Sequence, residues 1–257
     1  MIMTMKTTNF GIKLMAASLL LLPFTSNAQT DLNYKVVKVQ GEIQRIKTGN
    51  MLSIGEDVVS NENFDFKTNY SRAVVVNKEK GCVILSAKND NEGSQFLPSP
   101  NNMSVRAALP TQPSEVMEYY NGDIFISGYD SLKIDGSKLL INKDSYFTVS
   151  YSVEGNEVSE KLDYKNDKLV LPSKLIENKP EKVVLSYNDE FGENGKTEFT
   201  PVYADVNVLK GELDVIFSTL TGNRDEKVTA SATFINDFYG KTTQEAVDAW
   251  IKKNMEN

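Results

Sequence analysis

The sequence contains no histidine, a single cysteine and no long apolar run beyond residue 24. Without histidine, Ser-His-Asp and Cys-His nucleophilic sites are excluded, since both use imidazole as the base. The usual catalytic zinc sites are excluded as well, because two or three histidines ordinarily hold the metal. Carboxylate chemistry, as in glycoside hydrolysis, remains as a third hypothesis. With no phosphate-binding Gly-rich loop either, we expect a protein that is not an enzyme and has no catalytic residue, metal or cofactor.

The single cysteine and the excess of acidic over basic residues exclude further kinds of bond and partner. Cys82 has no partner for an internal disulfide and begins the apolar run Cys82–Leu85, so it is expected to be a buried small hydrophobe. The 28 lysines and arginines are outnumbered by 35 acidic residues, which gives a net charge of −7. Because no basic stripe is present to neutralise phosphates, nucleic acid is excluded as a partner and an anionic membrane surface is disfavoured.

The N-terminus has the pattern of a secretory signal peptide. Lys6 and Lys13 precede the apolar run Leu14–Phe24, and the polar segment after it ends in Ala28. A basic start, an apolar core of about 7–15 residues and a small residue at the cut describe such a signal. The run is too short for a membrane-spanning helix, which needs ~20 apolar residues. We therefore predict a signal peptide over 1–28, cleavage after Ala28, a periplasmic or secreted location and no membrane span.

Short β-type runs separated by glycine and asparagine dominate residues 29–97. Turn signals recur roughly every 8–12 residues, a spacing typical of small β modules. The runs follow a fixed order of strand apolars and turn glycines: V-x-G-x-I (Val39, Gly41, Ile43), L-x-x-G-E-D-V (Leu52, Gly55, Glu56, Asp57, Val58), F-x-T (Phe66, Thr68), S-R-A-V-V-V (71–76) and G-C-V-I-L (81–85).

This order resembles a FecR-type domain over residues 35–87, about a fifth of the chain. The resemblance implies a periplasmic β module. Such modules occur in regulators that relay an outer-membrane signal to a cytoplasmic sigma factor, and also in stand-alone exported proteins. Those regulators have a membrane anchor and a cytoplasmic arm, whereas this chain has the pattern of a cleavable signal.

A second β region follows a proline-rich segment. Four prolines lie between Asn89 and Pro113, so residues 98–120 are predicted to form a linker. In 121–203, Asp135-Gly136 predicts a hairpin between Leu132–Ile134 and Leu139–Ile141. Further strand pairs are predicted around the turns at Gly155-Asn156 and Asn166-Asp167 and around the acidic loop after Tyr187. Seven or eight such strands predict an Ig-like β-sandwich. The prediction depends on the strand pattern alone, since the chain has no cysteine pair.

The apolar period becomes helical after Tyr203. Val206 to Leu220 and Val228 to Phe238 predict two helices, and Thr242 with Glu245 forms a capping-box pattern before a third. The segment 204–257 is therefore predicted to be a small helical tail on a mainly β chain. Its apolar stripes are interpreted as buried against each other or against the β modules, the alternative being a docking element for a partner.

The leading functional hypothesis is an exported, non-enzymatic protein-interaction or regulatory component of the cell envelope. The alternative is binding of carbohydrate or a cell surface, such as an envelope polysaccharide, through the many tyrosines of the second β region, although we favour the interpretation that these tyrosines belong to half-buried strands. Two oxygen-rich loops, 89–93 and 188–195, carry calcium-type ligands but lack EF-hand spacing. We predict that an envelope protein partner binds a β edge around Tyr70–Val76 together with the tail, through these residues: Tyr70, Arg72, Val74, Val76, Phe238, Tyr239 and Trp250.

Overall fold

The computed structural model describes residues 32–88, 93–100, 111–126, 133–135, 137–166 and 168–256. The predicted signal peptide, the oxygen-rich loop at 89–92 and the central part of the predicted linker, 101–110, lie outside the described residues. The chain divides after Thr30, and Asp31–Asn257 forms one compact unit. Its strands and the helices at its C-terminal end confirm a mainly β fold with a helical tail.

The N-terminal part forms a five-stranded antiparallel sheet in the order β3-β1-β5-β6-β7, beside a two-stranded pair, β2-β4. β-branched residues fill β5, as expected for a strand covered on both faces. Gly41, directly after β1, has a φ of +71°, and Gly55, just before β3, has a φ of +83°. These positive φ values let the chain turn sharply at both places. The strands are β1 (Asn33–Gln40), β2 (Ile43–Arg45), β3 (Asp57–Val59), β4 (Phe64–Phe66), β5 (Arg72–Asn77), β6 (Gly81–Ala87) and β7 (Ser94–Pro98).

The two faces of this sheet bury different cores. On one face Ala73, Val75 and Leu85 pack with residues of the β2-β4 pair. On the other face Val74 and Val76 pack against helices from the end of the chain. Successive side chains of a strand point to opposite faces, so the unbroken valine run serves both cores at once. β5 is therefore the central strand of the sheet.

The second β region is a sandwich with the strand order of an Ig-like domain. Its five-stranded sheet has the order β11-β10-β14-β15-β8, and its three-stranded sheet has the order β12-β13-β9. These are the C′-C-F-G and D-E-B orders of Ig-like sandwiches, with β8 as the first strand. The strands are β8 (Gly122–Ile126), β9 (Lys133–Asp135), β10 (Tyr146–Val153), β11 (Asn156–Lys161), β12 (Asp163–Lys165), β13 (Lys168–Val170), β14 (Val183–Asp189) and β15 (Gly192–Tyr203).

Three of the four predicted strand pairs in this sandwich are confirmed, and one is wrong. β10 pairs with β11, β12 with β13, and β14 with β15, each across its predicted turn. Leu132 and Gly136 of the hairpin predicted at Asp135-Gly136 lie outside the described residues, but its second strand is absent, since 139–141 is a loop and β9 pairs with β13. Leu139 lies in the sandwich core, so the apolar run after Gly136 fills the interior from a loop rather than from a paired strand.

Five helices complete the described structure: α1 (Pro113–Tyr119), α2 (Ser173–Asn178), α3 (Val206–Thr219), α4 (Arg224–Phe238) and α5 (Gln244–Asn254). The prediction that all of 98–120 is a linker is wrong, because α1 occupies Pro113–Tyr119. Pro113 suits the first turn of this helix, where the missing N–H would have no partner within the helix. Residue Thr243, not Thr242, caps α5 by accepting a hydrogen bond from the Ala246 N–H at 3.1 Å. We call α3–α5 the helical tail.

The helical tail contacts both β modules. Its apolar residues share one core with the N-terminal sheet. Lys241, between α4 and α5, pairs with β8: its N–H donates to the Asp123 carbonyl at 2.8 Å, and its own carbonyl accepts from the Phe125 N–H at 3.0 Å. The close approach requires glycine at 240, where φ is +125° and a Cβ atom would lie 2.7 Å from the Asp123 oxygen. The C-terminal segment therefore packs against both modules and connects them. Among the described helices, none is long and apolar enough to cross a membrane.

Candidate interaction surface

Most of the residues predicted for partner binding are buried or half-buried in the folded protein. β5 is central in its sheet, so the β edge expected around Tyr70–Val76 does not exist there. Val74, Val76 and Trp250 are buried members of the core shared by the sheet and the helical tail. The prediction brought together the correct two segments, but their contact is internal.

The remaining residues of that prediction lie at the margin of the same internal contact. The Arg72 guanidinium lies 4.5 Å from the ring centre of Phe238 and donates a hydrogen bond to the Asp237 carbonyl at 3.2 Å. Tyr239 is half-buried. Tyr70 alone is largely exposed. A partner role for these residues stays a prediction, and the structure leaves Tyr70 as their main solvent-facing group.

A buried polar cluster ties the sheet to the helical tail. The Lys38 ammonium donates to Glu212 Oε1 at 2.7 Å and to Tyr239 Oη at 2.8 Å. The Tyr239 hydroxyl donates to Glu212 Oε2 at 2.6 Å. Burial, and then the hydrogen bond to Glu212, raise the pKa of Tyr239 well above its usual range. Because each group is satisfied by the others, the cluster serves as an internal connection rather than an open site.

No catalytic or metal-binding constellation appears among the described residues. Burial, and secondarily the charge of Asp237, raise the pKa of the Cys82 thiol to about 12, so a thiolate nucleophile is disfavoured. The described part of the chain holds no group of three acidic or cysteine side chains placed to share a metal ion. In the acidic loop of 188–195, the Asp189 carboxylate instead accepts from the Phe191 N–H and the Asn194 amide at 2.9 and 2.7 Å.

The tyrosines of the Ig-like module face inward rather than forming an exposed row. Tyr120 and Tyr151 are buried in the sandwich core, and the other described tyrosines of the module are half-buried against it. Burial raises the pKa of Tyr119 to about 12 and, with a contribution from Tyr151, that of Tyr203 to about 12. The described tyrosines therefore behave as amphipathic strand residues, one of the two interpretations that the sequence left open.

These raised tyrosine pKa values predict a loss of stability at alkaline pH. Burial raises the pKa of Tyr203 from 10.0 in the unfolded chain to about 12 in the folded protein. The folded state then binds more protons between these values, so stability that is complete below pH 10 falls as the pH rises through this window. We expect urea unfolding across that window to show a smaller decline for Tyr203→Phe than for the wild type.

The same variant also supplies its own control. The Tyr203 hydroxyl has no hydrogen-bond partner among the described residues, so Tyr203→Phe should keep or slightly raise the stability at neutral pH. Equal alkaline slopes for the two proteins would show that the proton of Tyr203 is not linked to folding.

The strand order of the Ig-like sandwich brings three connecting segments together at one end. Tyr146, the first residue of β10, pairs with Asn188 near the end of β14, and Thr148 pairs with Lys161 at the end of β11. The B–C loop (137–145), the C′–D turn (161–163) and the F–G turn (189–192) therefore meet at the same end. Variable Ig domains cluster their binding loops at this end. We call these three segments the loop end.

The loop end carries the two most exposed large apolar side chains in the described part of the chain. Leu140 in the B–C loop is 87% exposed, and Phe191 at the F–G turn is 90% exposed. A solvent-facing phenyl ring at the tip of a paired hairpin contributes nothing to the core of its own chain. Two such side chains on adjacent loops are typical of an anchor pair for a binding partner.

Both loops are held in shape by their own hydrogen bonds. The Asp189 carboxylate accepts from the backbone N–H of Phe191 at 2.9 Å, and Asp189 pairs with Gly192 across the turn. In the B–C loop, Asn142 Oδ1 accepts from the N–H groups of Asp144 and Ser145 at 2.8 and 2.9 Å. Preorganised loops lose less conformational entropy on binding, which favours a recognition role.

A shallow cleft of about 330 Å³ opens at this end. The Lys161 ammonium at its rim lies 3.8 Å from the ring centre of Tyr146. Its volume falls at the low end of the range for ligand sites, ~300–1,000 Å³. The residues that line it are Ile141, Asn142, Lys143, Lys161, Leu162, Asp163 and Tyr164.

Sequence reasoning did not single out the loop end, although part of its signal was present. Phe191 stands between Glu190 and Gly192 in an acidic turn. No apolar residue lies two positions before or after it, so the sequence shows no strand face on which it would be buried. Leu139 and Leu140 are adjacent, so only one of them can face a core. The meeting of the B–C, C′–D and F–G segments depends on the sheet order and has no local signal.

Comparisons of the chain with protein-family models, with curated proteins and with solved structures find no match.

Proposed function

We propose that this chain is an exported, non-enzymatic protein-interaction component of the cell envelope, and that it binds its protein partner through the loop end. The observation that carries the proposal is the exposure of Leu140 and Phe191 on adjacent, hydrogen-bonded loops. Burying a large apolar side chain is worth about 1.5–3 kcal/mol, so two anchors support a specific contact.

The proposed compartment and the FecR-type interpretation rest on separate support. Lys6, Lys13 and the apolar run Leu14–Phe24 support export, and the compact unit begins at Asp31, just after the proposed cleavage site. The turn glycines of the FecR-type order adopt positive φ, as at Gly81 with +71°, which supports their role as turn positions. A regulatory role would follow if the N-terminal module acts as such domains do.

Carbohydrate or cell-surface binding remains the alternative proposal, with less support. Sugar rings stack on exposed aromatic faces, and the described tyrosines of the Ig-like module are buried or half-buried. Phe191 supplies one exposed ring at the loop end, which is a small platform for a polysaccharide. A change in intrinsic fluorescence on adding envelope polysaccharide would favour this alternative.

Photo-crosslinking in cells tests the protein-interaction proposal. We expect an aromatic photo-crosslinking residue in place of Phe191 to give one discrete adduct from the envelope fraction, because the ring anchors the contact. Leu140→Asp in the same chain should reduce that adduct at least tenfold, since an unpaired carboxylate enters the interface.

The matched control places the crosslinker at Val208, an exposed apolar position on α3 away from the loop end. Mass spectrometry of the adduct identifies what the loop end contacts. Equal adduct patterns from the two positions would contradict the proposal.

A further inference from the structure

We infer that the partner held by the loop end is a second copy of this chain, in a two-fold dimer where each Phe191 enters the cleft of the other copy. This inference rests on the proposed function. It adds the identity of the occupant, which the anchors and the cleft supply together: the same end of the sandwich carries a projecting ring and a recess lined by both apolar and polar residues.

The shapes of the two features match. Phe191 lies in the tight turn between β14 and β15, is 90% exposed, and has Glu190 and Gly192 as its neighbours in sequence. The cleft has Ile141 and Leu162 among its lining residues, which gives an aromatic ring an apolar surface to contact. A phenyl side chain buries roughly 150–250 Å² when it is enclosed, which suits a recess of this size.

The charges also match between the tip and the cleft. Asp189 and Glu190 precede Phe191 in the F–G turn, and Glu193 follows it at the start of β15, 4.0 Å from Lys196. The cleft carries Lys143, Lys161 and one acidic residue, Asp163. The Asp163 carboxylate is paired with Lys165 at 2.7 Å and the Lys143 ammonium with Asp144 at 3.8 Å, so Lys161 supplies the positive charge that an acidic tip would meet. An acidic tip facing a lysine rim aligns opposite charges and disfavours other orientations.

Two-fold symmetry follows from the position of both features at one end. A surface that carries its own complement closes into an isologous dimer, because each contact is made twice. The alternative, a tip and a cleft on opposite ends, would produce an open chain of molecules. Here the C′–D turn and the F–G turn both lie beside the start of β10, so one rotation satisfies both contacts.

The expected dimer is weak. At roughly 150–250 Å² for each enclosed phenyl ring, the two Phe191 anchors alone supply well under the ~1,200 Å² at the lower limit of stable complexes. We therefore expect a dissociation constant of roughly 10–100 μM, which suits an interface that forms when the protein is concentrated in the envelope.

Sedimentation equilibrium of the exported chain tests the inference. We expect a monomer–dimer equilibrium for the wild type that Phe191→Asp weakens at least tenfold, because the aspartate removes the ring and adds a desolvated charge. Lys161→Glu should weaken it as well, and adding Glu190→Lys to Lys161→Glu should restore it, since the charges are exchanged in both contacts. Val208→Asp, which makes the same kind of change at an exposed apolar site on α3, should leave the equilibrium unchanged.

The outcomes separate this inference from the proposed function. A wild type that stays monomeric well above the expected dissociation constant, with a Phe191 adduct to a different protein, overturns the dimer and keeps the interaction role. A monomer with no specific adduct overturns both. A dimer that Phe191→Asp leaves intact also overturns the inference, because the contact then lies elsewhere on the chain.

Discussion

Deletion of residues 204–257 is expected to unfold the N-terminal β module and leave the Ig-like sandwich folded. Eleven of the sixteen buried residues in the core on the outer face of the N-terminal sheet come from the helical tail. At about 1.5–3 kcal/mol per buried side chain, their loss removes on the order of 20 kcal/mol of burial, which exceeds the 5–15 kcal/mol stability of typical proteins. The sandwich keeps its own core, whose buried residues all precede the tail.

Thermal melting by circular dichroism and dye binding to exposed apolar surface measure this result. The truncated chain should show a single remaining transition and strong dye binding by the exposed face with Val37, Val74 and Val76. Supplying residues 204–257 as a separate peptide should restore the lost transition in part. Two retained transitions in the truncated chain would show that the tail is dispensable for folding.

This prediction affects how partner experiments are interpreted. A complex lost on deleting the tail would not identify the tail as a docking element, because the deletion also removes most of a core. Substitutions at Leu140 and Phe191 avoid this problem, since both side chains are exposed and absent from the described cores.

Features encoded by neighbouring residues could be predicted from the sequence. The strand pair β10–β11 follows from the strict alternation of Phe147–Val153 and from the turn at Gly155-Asn156, where the φ of Gly155 is +83°. The limits of α3 and the end of α4 follow from the apolar period, but α4 begins at Arg224, four residues before the predicted Val228. The structure shows the caps Asp205 and Asn223, which accept hydrogen bonds from the first turn of each helix. These signals depend on a few positions and survive without knowledge of the rest of the chain.

Features that depend on distant pairing could not be predicted. The parallel pairing of β8 with β15 and the assignment of β5 to the sheet centre are choices among strands far apart in sequence. The valine run 74–76 indicates burial on both faces but not which segment covers them. The helical tail covers one face, so residues proposed for an external partner became an internal contact. The candidate loop end is also a product of sheet order.

Replacing Lys38 by methionine is expected to destabilise the protein by about 3–5 kcal/mol, the cost of leaving one partner of a buried ion pair alone. Glu212 is 1% exposed, and its carboxylate would keep only the Tyr239 hydroxyl as a hydrogen-bond donor from the described cluster. Combining Lys38→Met with Glu212→Leu and Tyr239→Phe should recover most of the loss, because apolar side chains then replace the whole cluster. Urea unfolding followed by the fluorescence of Trp250, the single tryptophan, measures each variant.

Lys35→Met is the matched control on the same strand. Lys35 pairs with Asp57 at 3.0 Å, but these side chains are 36% and 76% exposed, so solvent screens the pair and its removal should cost at most about 1 kcal/mol. The contrast between two lysines three residues apart then isolates burial as the cause. Equal losses for Lys35→Met and Lys38→Met would mean that the cluster does not hold the sheet and the helical tail together. A combined variant that stays as unstable as Lys38→Met would place the cost in packing rather than in the unpaired carboxylate.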